Sequence, residues 1–152
     1  MRTSILIGAL VALITGLAIG LQSTIASRVG SVIGDVRTGL IINFLGGVIA
    51  GTTILALILR GGFQPWKVSG AIIGAAALSG LIGIIIISGI SFSLQRAGIA
   101  AGLATVIVGQ LALSMMIDTF GIGGVEAIPF SHQRLLGLLV MGLGVYLLLP
   151  RN

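Results

Sequence analysis

Long apolar segments with almost no charge inside them occupy most of this chain, and they constrain its fold more than any other feature. Four of them, residues 4–26, 38–59, 66–94 and 97–118, exceed the roughly 20 residues that a helix needs to cross a bilayer. Only 7% of the residues are charged, whereas a soluble domain carries about 25%. Because so few charges cannot cover a water-facing surface, the sequence predicts an all-α integral membrane protein.

A fifth apolar segment, residues 132–149, is shorter and crosses most easily where the bilayer is thinned. The apolar runs are continuous, which favours helices over the alternating pattern of barrel strands. The first run follows a basic start, as in a signal peptide, but it is longer than a signal core and further spans follow it. We therefore expect one domain, residues 1–152, with five transmembrane helices.

The usual signs of catalysis and of nucleic-acid binding are missing from the sequence. It has no cysteine and no H-E-x-x-H, P-loop or G-x-S-x-G motif. We therefore expect a protein that is not an enzyme and has no catalytic residues, cofactor or metal site. The net charge of +5 comes from single basic residues at the ends of apolar runs, where they reach lipid headgroups. The predicted partner is thus the lipid bilayer and not nucleic acid.

Glycine pairs four residues apart recur in the first four segments. In lipid, such pairs let helix backbones approach closely, because packing replaces the hydrophobic effect. The pattern predicts a tightly packed bundle. The pairs are Gly16/Gly20, Gly47/Gly51, Gly70/Gly74 and Gly98/Gly102.

Basic residues in short loops set the orientation of a membrane protein. With five spans, the chain divides its basic residues equally between Arg2, Arg60, Lys67 and Arg134 on one side and Arg28, Arg37, Arg96 and Arg151 on the other. This balance predicts dual topology, in which copies insert both ways and pair as an antiparallel homodimer. The alternative is that a single residue or a partner protein fixes the orientation. Five helices are also half of the inverted-repeat arrangement that many transporters share.

Several polar side chains lie within the apolar segments, where lipid cannot satisfy them. Our candidates for a substrate pathway are Gln22, Asn43, Gln110, Ser114 and Asp118. Residues 110, 114 and 118 share one helical face, because they are four residues apart. The alternative is that the amides bond neighbouring helices and only stabilise the bundle.

Asp118 is the one acid that the sequence places within a membrane segment, near its end. An intramembrane acid marks a proton-coupling group or a gate. The alternative is a solvated carboxylate, because Asp118 lies about one turn from the predicted interface. Glu126, in the loop after the fourth segment, and His132, at the start of the fifth, are interpreted as ordinary polar surface.

The stretch from Val108 to Leu149 resembles the YdcZ-like family of small bacterial inner-membrane proteins. The resemblance covers essentially the whole chain, and the segment from Gln110 to Gly121 is its most specific part. The matching positions are Gly20-Leu21-Gln22, Asn43-Phe44 with Gly47, Gly109-Gln110-Leu111, Asp118, Phe120-Gly121, Gly124, Pro129, Arg134, Leu136-Gly137 and Gly142/Gly144.

This resemblance implies membership of the drug/metabolite transporter superfamily, whose ten-helix carriers look like two inverted five-helix halves. In such carriers the first four helices of each half line the pathway and the fifth packs outside. The related small multidrug exporters have a glutamate in their first helix. The first segment here contains no acid, so the resemblance does not carry over glutamate-based exchange.

Together these features predict a multi-pass protein of the bacterial cytoplasmic (inner) membrane. The leading hypothesis is a small transporter, an exporter of small metabolites or amphipathic compounds, that works by alternating access as a dual-topology antiparallel homodimer. Its substrate is an unidentified small molecule. The alternative hypothesis is a non-transporting membrane subunit that assembles with or scaffolds a larger complex.

Overall fold

The computed structural model describes residues 2–61, 69–122 and 126–150. This part of the chain contains five α-helices and no strand, which confirms the all-α prediction. The helices are α1 (Arg2–Ile33), α2 (Asp35–Gly61), α3 (Gly70–Ala97), α4 (Ile99–Phe120) and α5 (His132–Leu148). The predicted helix start at Pro65-Trp66-Lys67 lies outside the described residues.

The first four helices are long and apolar enough to cross a membrane. At about 1.5 Å per residue, the 22 residues of α4 extend about 33 Å, which exceeds a hydrocarbon core of about 30 Å. The 17 residues of α5 extend only about 26 Å. A crossing by α5 therefore requires a thinner bilayer, and its role as a fifth span stays a prediction.

The connection between the first two helices is shorter than the sequence indicated. Residues 27–37 lie between the first two predicted segments, but α1 continues through Ile33 and α2 begins at Asp35. Gly34 alone separates the helices, with a φ of 89° that L side chains rarely adopt. Its amide donates to the Gly30 carbonyl at 2.9 Å, and its carbonyl accepts from the Thr38 amide at 3.0 Å. The backbone hydrogen bonds thus continue through the turn, which makes a longer link unnecessary.

A second turn of the same kind joins α3 to α4. Gly98 has a φ of 80° and a ψ of 162°, a region that is essentially restricted to glycine. Its carbonyl accepts from the Gly102 amide at 2.9 Å. Gly102 itself lies against Leu94, because a Cβ at this position would be 2.8 Å from the Leu94 Cδ1. Both turns therefore need glycine for the backbone angle, and Gly102 in the first turn of α4 is needed for close packing against Leu94.

Contacts group the chain into two compact units, residues 1–92 and 93–152. In the first unit α1 packs on α2, and α2 packs antiparallel to α3. The α2–α3 contacts follow successive turns: Asp35 meets Ser91, Gly39 meets Ser88, and Asn43 meets Gly83. The single domain of residues 1–152 predicted from the sequence stays a prediction.

Burial in the first unit is concentrated at the end of the helices that lies nearest Gly34. Ser23, Ala26, Thr38, Ile90 and Ser91 are all buried there. By contrast, every residue of 6–19, 44–57 and 70–82 is exposed. The three helices therefore leave their apolar sides open over these segments.

Most of the glycine pairs do not mediate contacts within the chain. A Cβ at Gly16, Gly20, Gly47, Gly51, Gly70 or Gly74 would meet nothing within 4 Å. Among the described residues, these three pairs therefore do not mediate the close helix approach that the pattern predicts. Close contacts occur instead at Gly39, Gly83 and Gly102. A spacing of four residues places two glycines on the same face of a helix, but it does not show which neighbouring helix packs against that face.

Candidate functional site

A cavity of about 320 Å³ lies between α4 and α5 in the second unit. We call it the α4–α5 cavity. Most of its lining is apolar, and the polar side chains are a hydroxyl, a carboxylate and a guanidinium. The lining residues are Leu111, Ser114, Met115, Asp118, Arg134, Gly137, Leu138 and Met141.

An ion pair closes one end of this cavity. Arg134 Nη2 donates to Asp118 Oδ2 at 2.5 Å, and the two side chains are 37% and 31% exposed. Asp118 is in the last turn of α4 and Arg134 is in the first turn of α5. A carboxylate at the C-terminal end of a helix and a guanidinium at the N-terminal end each interact unfavourably with the dipole of their own helix. Their mutual attraction compensates for both positions, since the two helix ends meet at this point.

The chain around the pair is shaped by the end of α4. Gly121 adopts a left-handed conformation (φ 63°, ψ 31°), and its amide donates to the Ile117 carbonyl, which is the usual glycine-dependent way to end a helix. The Ile128 amide then donates to the Asp118 carbonyl at 2.9 Å. This bond returns the chain to the end of α4 and brings the start of α5 beside Asp118.

Arg134 retains one unsatisfied nitrogen. Its Nη1 is buried and has no hydrogen-bond partner among the described residues. A guanidinium has five N–H donors, and a buried charged donor without a partner is costly. The ion pair therefore lies beside an apolar cavity, and one nitrogen of Arg134 is buried within the protein.

The structure brings together two of the five predicted pathway residues. Ser114 and Asp118 both line the α4–α5 cavity. Gln110 is exposed one turn earlier on α4 and is not part of the lining. Gln22 is exposed on α1, in the other unit.

Asn43 has the contacts of a residue that joins two helices. Its Nδ2 donates to the Gly39 carbonyl of its own helix at 2.8 Å. Its Oδ1 lies against Gly83 of α3, where a Cβ would be 3.0 Å from that oxygen. The half-buried amide thus sits at the α2–α3 contact, as expected for a side chain that bonds or packs between helices.

Two further polar groups were not predicted as site residues. Arg134 was interpreted only as a flanking cation, because its pairing with Asp118 depends on how α5 returns beside α4. Asp35 is the first residue of α2. Its Oδ1 accepts from the Ser91 hydroxyl at 2.7 Å, and Ser91 is fully buried. No sequence signal connects these two, because they are 56 residues apart.

The described residues contain no group of three His, Asp or Glu side chains that could hold a metal ion. Five apolar helices, four of them long enough to span a bilayer, define a helical integral membrane protein. The sequence model of the family described as "Putative inner membrane exporter, YdcZ" matches residues 7–147. The chain belongs to this family, as the sequence motifs indicated, and is a multi-pass inner-membrane protein. No curated protein and no solved structure matches the chain significantly.

Proposed function

We propose that this protein is a small exporter that works by alternating access as a dual-topology antiparallel homodimer. The observation that carries the proposal is the match to an exporter family over residues 7–147. Four long apolar helices and a short fifth are half of the ten-helix inverted-repeat architecture, and an inverted second copy supplies the other half. Two such halves can rock about a site near the membrane midplane and open it to each side in turn.

The open sides of the first unit support a second copy. Residues 6–19, 44–57 and 70–82 are exposed throughout, and they include five of the six glycines of three pairs at which a Cβ would meet no described residue within 4 Å. Small residues at open positions fit close helix approach between subunits. The equal division of basic residues supports the antiparallel arrangement, provided that α5 crosses the membrane. If it does not, Arg151 joins the side of Arg134 and the count becomes five against three.

In this proposal the polar residues of the cavity act on the pathway. Ser114 offers a hydroxyl, and the Asp118–Arg134 pair forms a gate that must open or exchange partners as the site changes sides. Gln22 and Gln110 are exposed on their helices and are pathway candidates that a second copy would cover. Asn43 is a third pathway candidate, and its side chain also lies at the contact between α2 and α3.

Export can be tested without knowing the substrate. Cells expressing the protein, the Asp118→Asn variant or the Arg134→Gln variant would be compared by untargeted mass spectrometry of the growth medium. We expect at least one compound to accumulate outside cells with the wild-type protein and to fall several-fold with either variant. Glu126→Gln is the matched control, because Glu126 is an exposed acid of the same hairpin outside the cavity. An unchanged medium at equal membrane expression would contradict export.

The non-transporting subunit predicts a different result on purification. In mild detergent, an exporter of this kind is isolated as a homodimer, whereas a subunit brings a foreign protein in fixed stoichiometry. Size-exclusion chromatography with light scattering distinguishes these outcomes. A stoichiometric foreign partner together with an unchanged medium would replace our proposal by the subunit alternative.

A further inference from the structure

We propose that α2 and α3 rock against each other about the contact between Asn43 and Gly83, and so alternate between two conformations. In the conformation seen in the structure, the helices meet at their ends nearest Gly34, which we call the packed end. They are open over residues 44–57 and 70–82, which we call the open segments. In the second conformation the open segments meet and the packed end parts. The role of this motion in transport rests on the proposed export function, whereas the motion itself rests on the geometry of the two helices.

Three contacts define the register of α2 and α3. They are Asp35 with Ser91, Gly39 with Ser88, and Asn43 with Gly83. The first and last are eight residues apart on both helices (35 to 43 and 91 to 83), so the register is constant. Ten residues further along each helix (43 to 53 and 83 to 73), the same register places Thr53 opposite Ile73.

The contact face of each helix also continues into its open segment. On α2, Thr53 lies fourteen residues after Gly39, and on α3, Ile73 lies eleven residues before Ile84. Both spacings are close to whole turns of 3.6 residues. Thr53 and Ile73 are therefore on the same faces that are in contact at the packed end.

Beyond the last contact these facing surfaces are open. A Cβ at Gly46 or at Gly80 would meet nothing within 4 Å, and Thr53 and Ile73 are both exposed. The Thr53 hydroxyl already donates to a carbonyl of its own helix at 2.8 Å, so closure would not bury an unsatisfied donor there. Glycines at the first facing positions let the backbones approach closely, which favours packing in lipid. The open segments thus have the residues of a helix contact without the contact.

The packed end determines how the open segments can meet. A Cβ at Gly39 would be 2.6 Å from the Ile84 carbonyl oxygen, so the backbones already touch there and cannot come closer. Closure must therefore tilt the helices about the contact nearest the open segments, which is that of Asn43 with Gly83.

The tilt links the two ends of the helix pair. At about 1.5 Å per residue, Asp35 lies about 12 Å and Thr53 about 15 Å from Asn43 along α2. Moving Thr53 toward α3 therefore parts the packed end by about four fifths of the same displacement. The hydrogen bond from the Ser91 hydroxyl to Asp35 Oδ1, at 2.7 Å, is the contact furthest from the pivot, so closure breaks it first.

This closure leaves another side of α2 for a second copy. Neighbouring residues of a helix are about 100° apart, so Gly47 and Gly51 lie beside the contact face and not on it. A Cβ at either would meet nothing within 4 Å. The dimer of the proposed function and the closure of α2 on α3 therefore use different surfaces.

Disulfide formation measures closure, because the chain has no cysteine and a disulfide requires Cα atoms within about 7 Å. The facing pair, Thr53→Cys with Ile73→Cys, would be oxidised in native membranes, and remaining thiols would be tagged with maleimide–polyethylene glycol. On non-reducing electrophoresis an intrachain disulfide gives an untagged monomer and an interchain disulfide gives a dimer. The control pair is Thr53→Cys with Ala75→Cys, because Ala75 is also exposed but lies on the opposite side of α3.

We expect the intrachain disulfide to form several-fold faster in the facing pair than in the control pair. Adding Ser91→Ala should raise the rate of the facing pair several-fold further, because it removes the hydrogen bond that closure breaks first. Adding Gly98→Ala, a substitution in the second unit, should leave the rate unchanged. This comparison separates the loss of the α2–α3 bond from a general loss of stability.

Three results would overturn the inference. Equal intrachain rates in the facing and control pairs would show that α2 and α3 stay apart. A facing pair that forms only dimers would place a second copy between the helices. A rate that Ser91→Ala leaves unchanged, or that Gly98→Ala raises equally, would show that closure does not part the packed end.

The link to transport has a separate readout. Gly80→Leu should block closure by filling space that is open in the structure, and should lower both the disulfide rate and export of the identified compound several-fold. Ala75→Leu, on the opposite side of α3, should change neither. Unchanged export with Gly80→Leu would refute the role of the motion in transport. Fast disulfide formation without any exported compound would instead contradict the proposed function and leave the motion standing.

Discussion

The α2–α3 contact at Gly39 gives the most sharply defined prediction for stability. A Cβ added at Gly39 would be 2.6 Å from the Ile84 carbonyl oxygen and would also collide with the Ser88 hydroxyl. That hydroxyl is itself bonded to the Ile84 carbonyl at 2.8 Å, so it cannot rotate away without losing its acceptor. The backbone oxygen can move only if the helices separate.

The size of the effect follows from these distances. Ordinary contacts to a Cβ begin at 3.4 Å, so Gly39→Ala must move α3 away by 0.8 Å (3.4 minus 2.6). Overpacking of this kind costs about 1–3 kcal/mol, whereas the better helix propensity of alanine returns about 1 kcal/mol. We therefore expect the free energy of unfolding to fall by about 0–2 kcal/mol relative to the wild-type protein.

Gly46→Ala is the matched control for this measurement. Gly46 lies on the same helix and is exposed, and a Cβ there would meet nothing within 4 Å. This variant should be neutral or up to about 1 kcal/mol more stable, because only the propensity changes. Unfolding would be followed by far-ultraviolet circular dichroism during titration of the purified protein with dodecyl sulfate. If Gly39→Ala were as stable as Gly46→Ala, the close α2–α3 packing would be refuted.

Three further predictions concern single contacts. Gly98→Ala should destabilise the protein by about 1–3 kcal/mol, because alanine is strained at this backbone conformation. Gly109→Ala, at an open position of α4, should not destabilise it. Thermal unfolding measures the stability of both variants. Ser91→Ala should cost about 1–2 kcal/mol in the same assay, since it removes the hydroxyl that donates to the carboxylate at the start of α2. Asp118→Asn and Arg134→Gln should each destabilise by about 1 kcal/mol, a modest value because both side chains are partly exposed. The double variant should cost less than the sum of the two, and strict additivity would argue against the ion pair.

The helices were predictable because the apolar runs are long and continuous. The positions at which the helices begin and end were less predictable. Residues 27–37 contain glycines and charges that are typical of a loop, yet all but Gly34 are helical. The residues that flank this stretch, Ala26 and Thr38, are fully buried, and Gly30 within it is buried, so packing at both ends holds the helices up to Gly34. Tertiary packing overrides local preference at such a place.

The residues of the candidate site that lie on the same helix were predictable from the sequence. The spacing of Ser114 and Asp118 by four residues placed both on one face, and both line the α4–α5 cavity. Arg134 was missed, because its role depends on how α5 returns beside α4. Two of the three contact glycines were missed for the same reason: Gly39 and Gly83 belong to no pair spaced by four, and only the register between α2 and α3 reveals them.

The most direct test of the central claim, that copies of this chain insert in both orientations, is thiol labelling in intact cells. The chain has no cysteine, so Ser31→Cys and Gly61→Cys each provide a single reporter, and both positions are exposed near opposite ends of α2. A membrane-impermeant maleimide would be applied before and after lysis. Our account predicts that about half of the copies label from outside at each position and that all label after lysis. Complete labelling from outside at one position and none at the other would contradict dual topology and would require a separate partner chain to supply the inverted half.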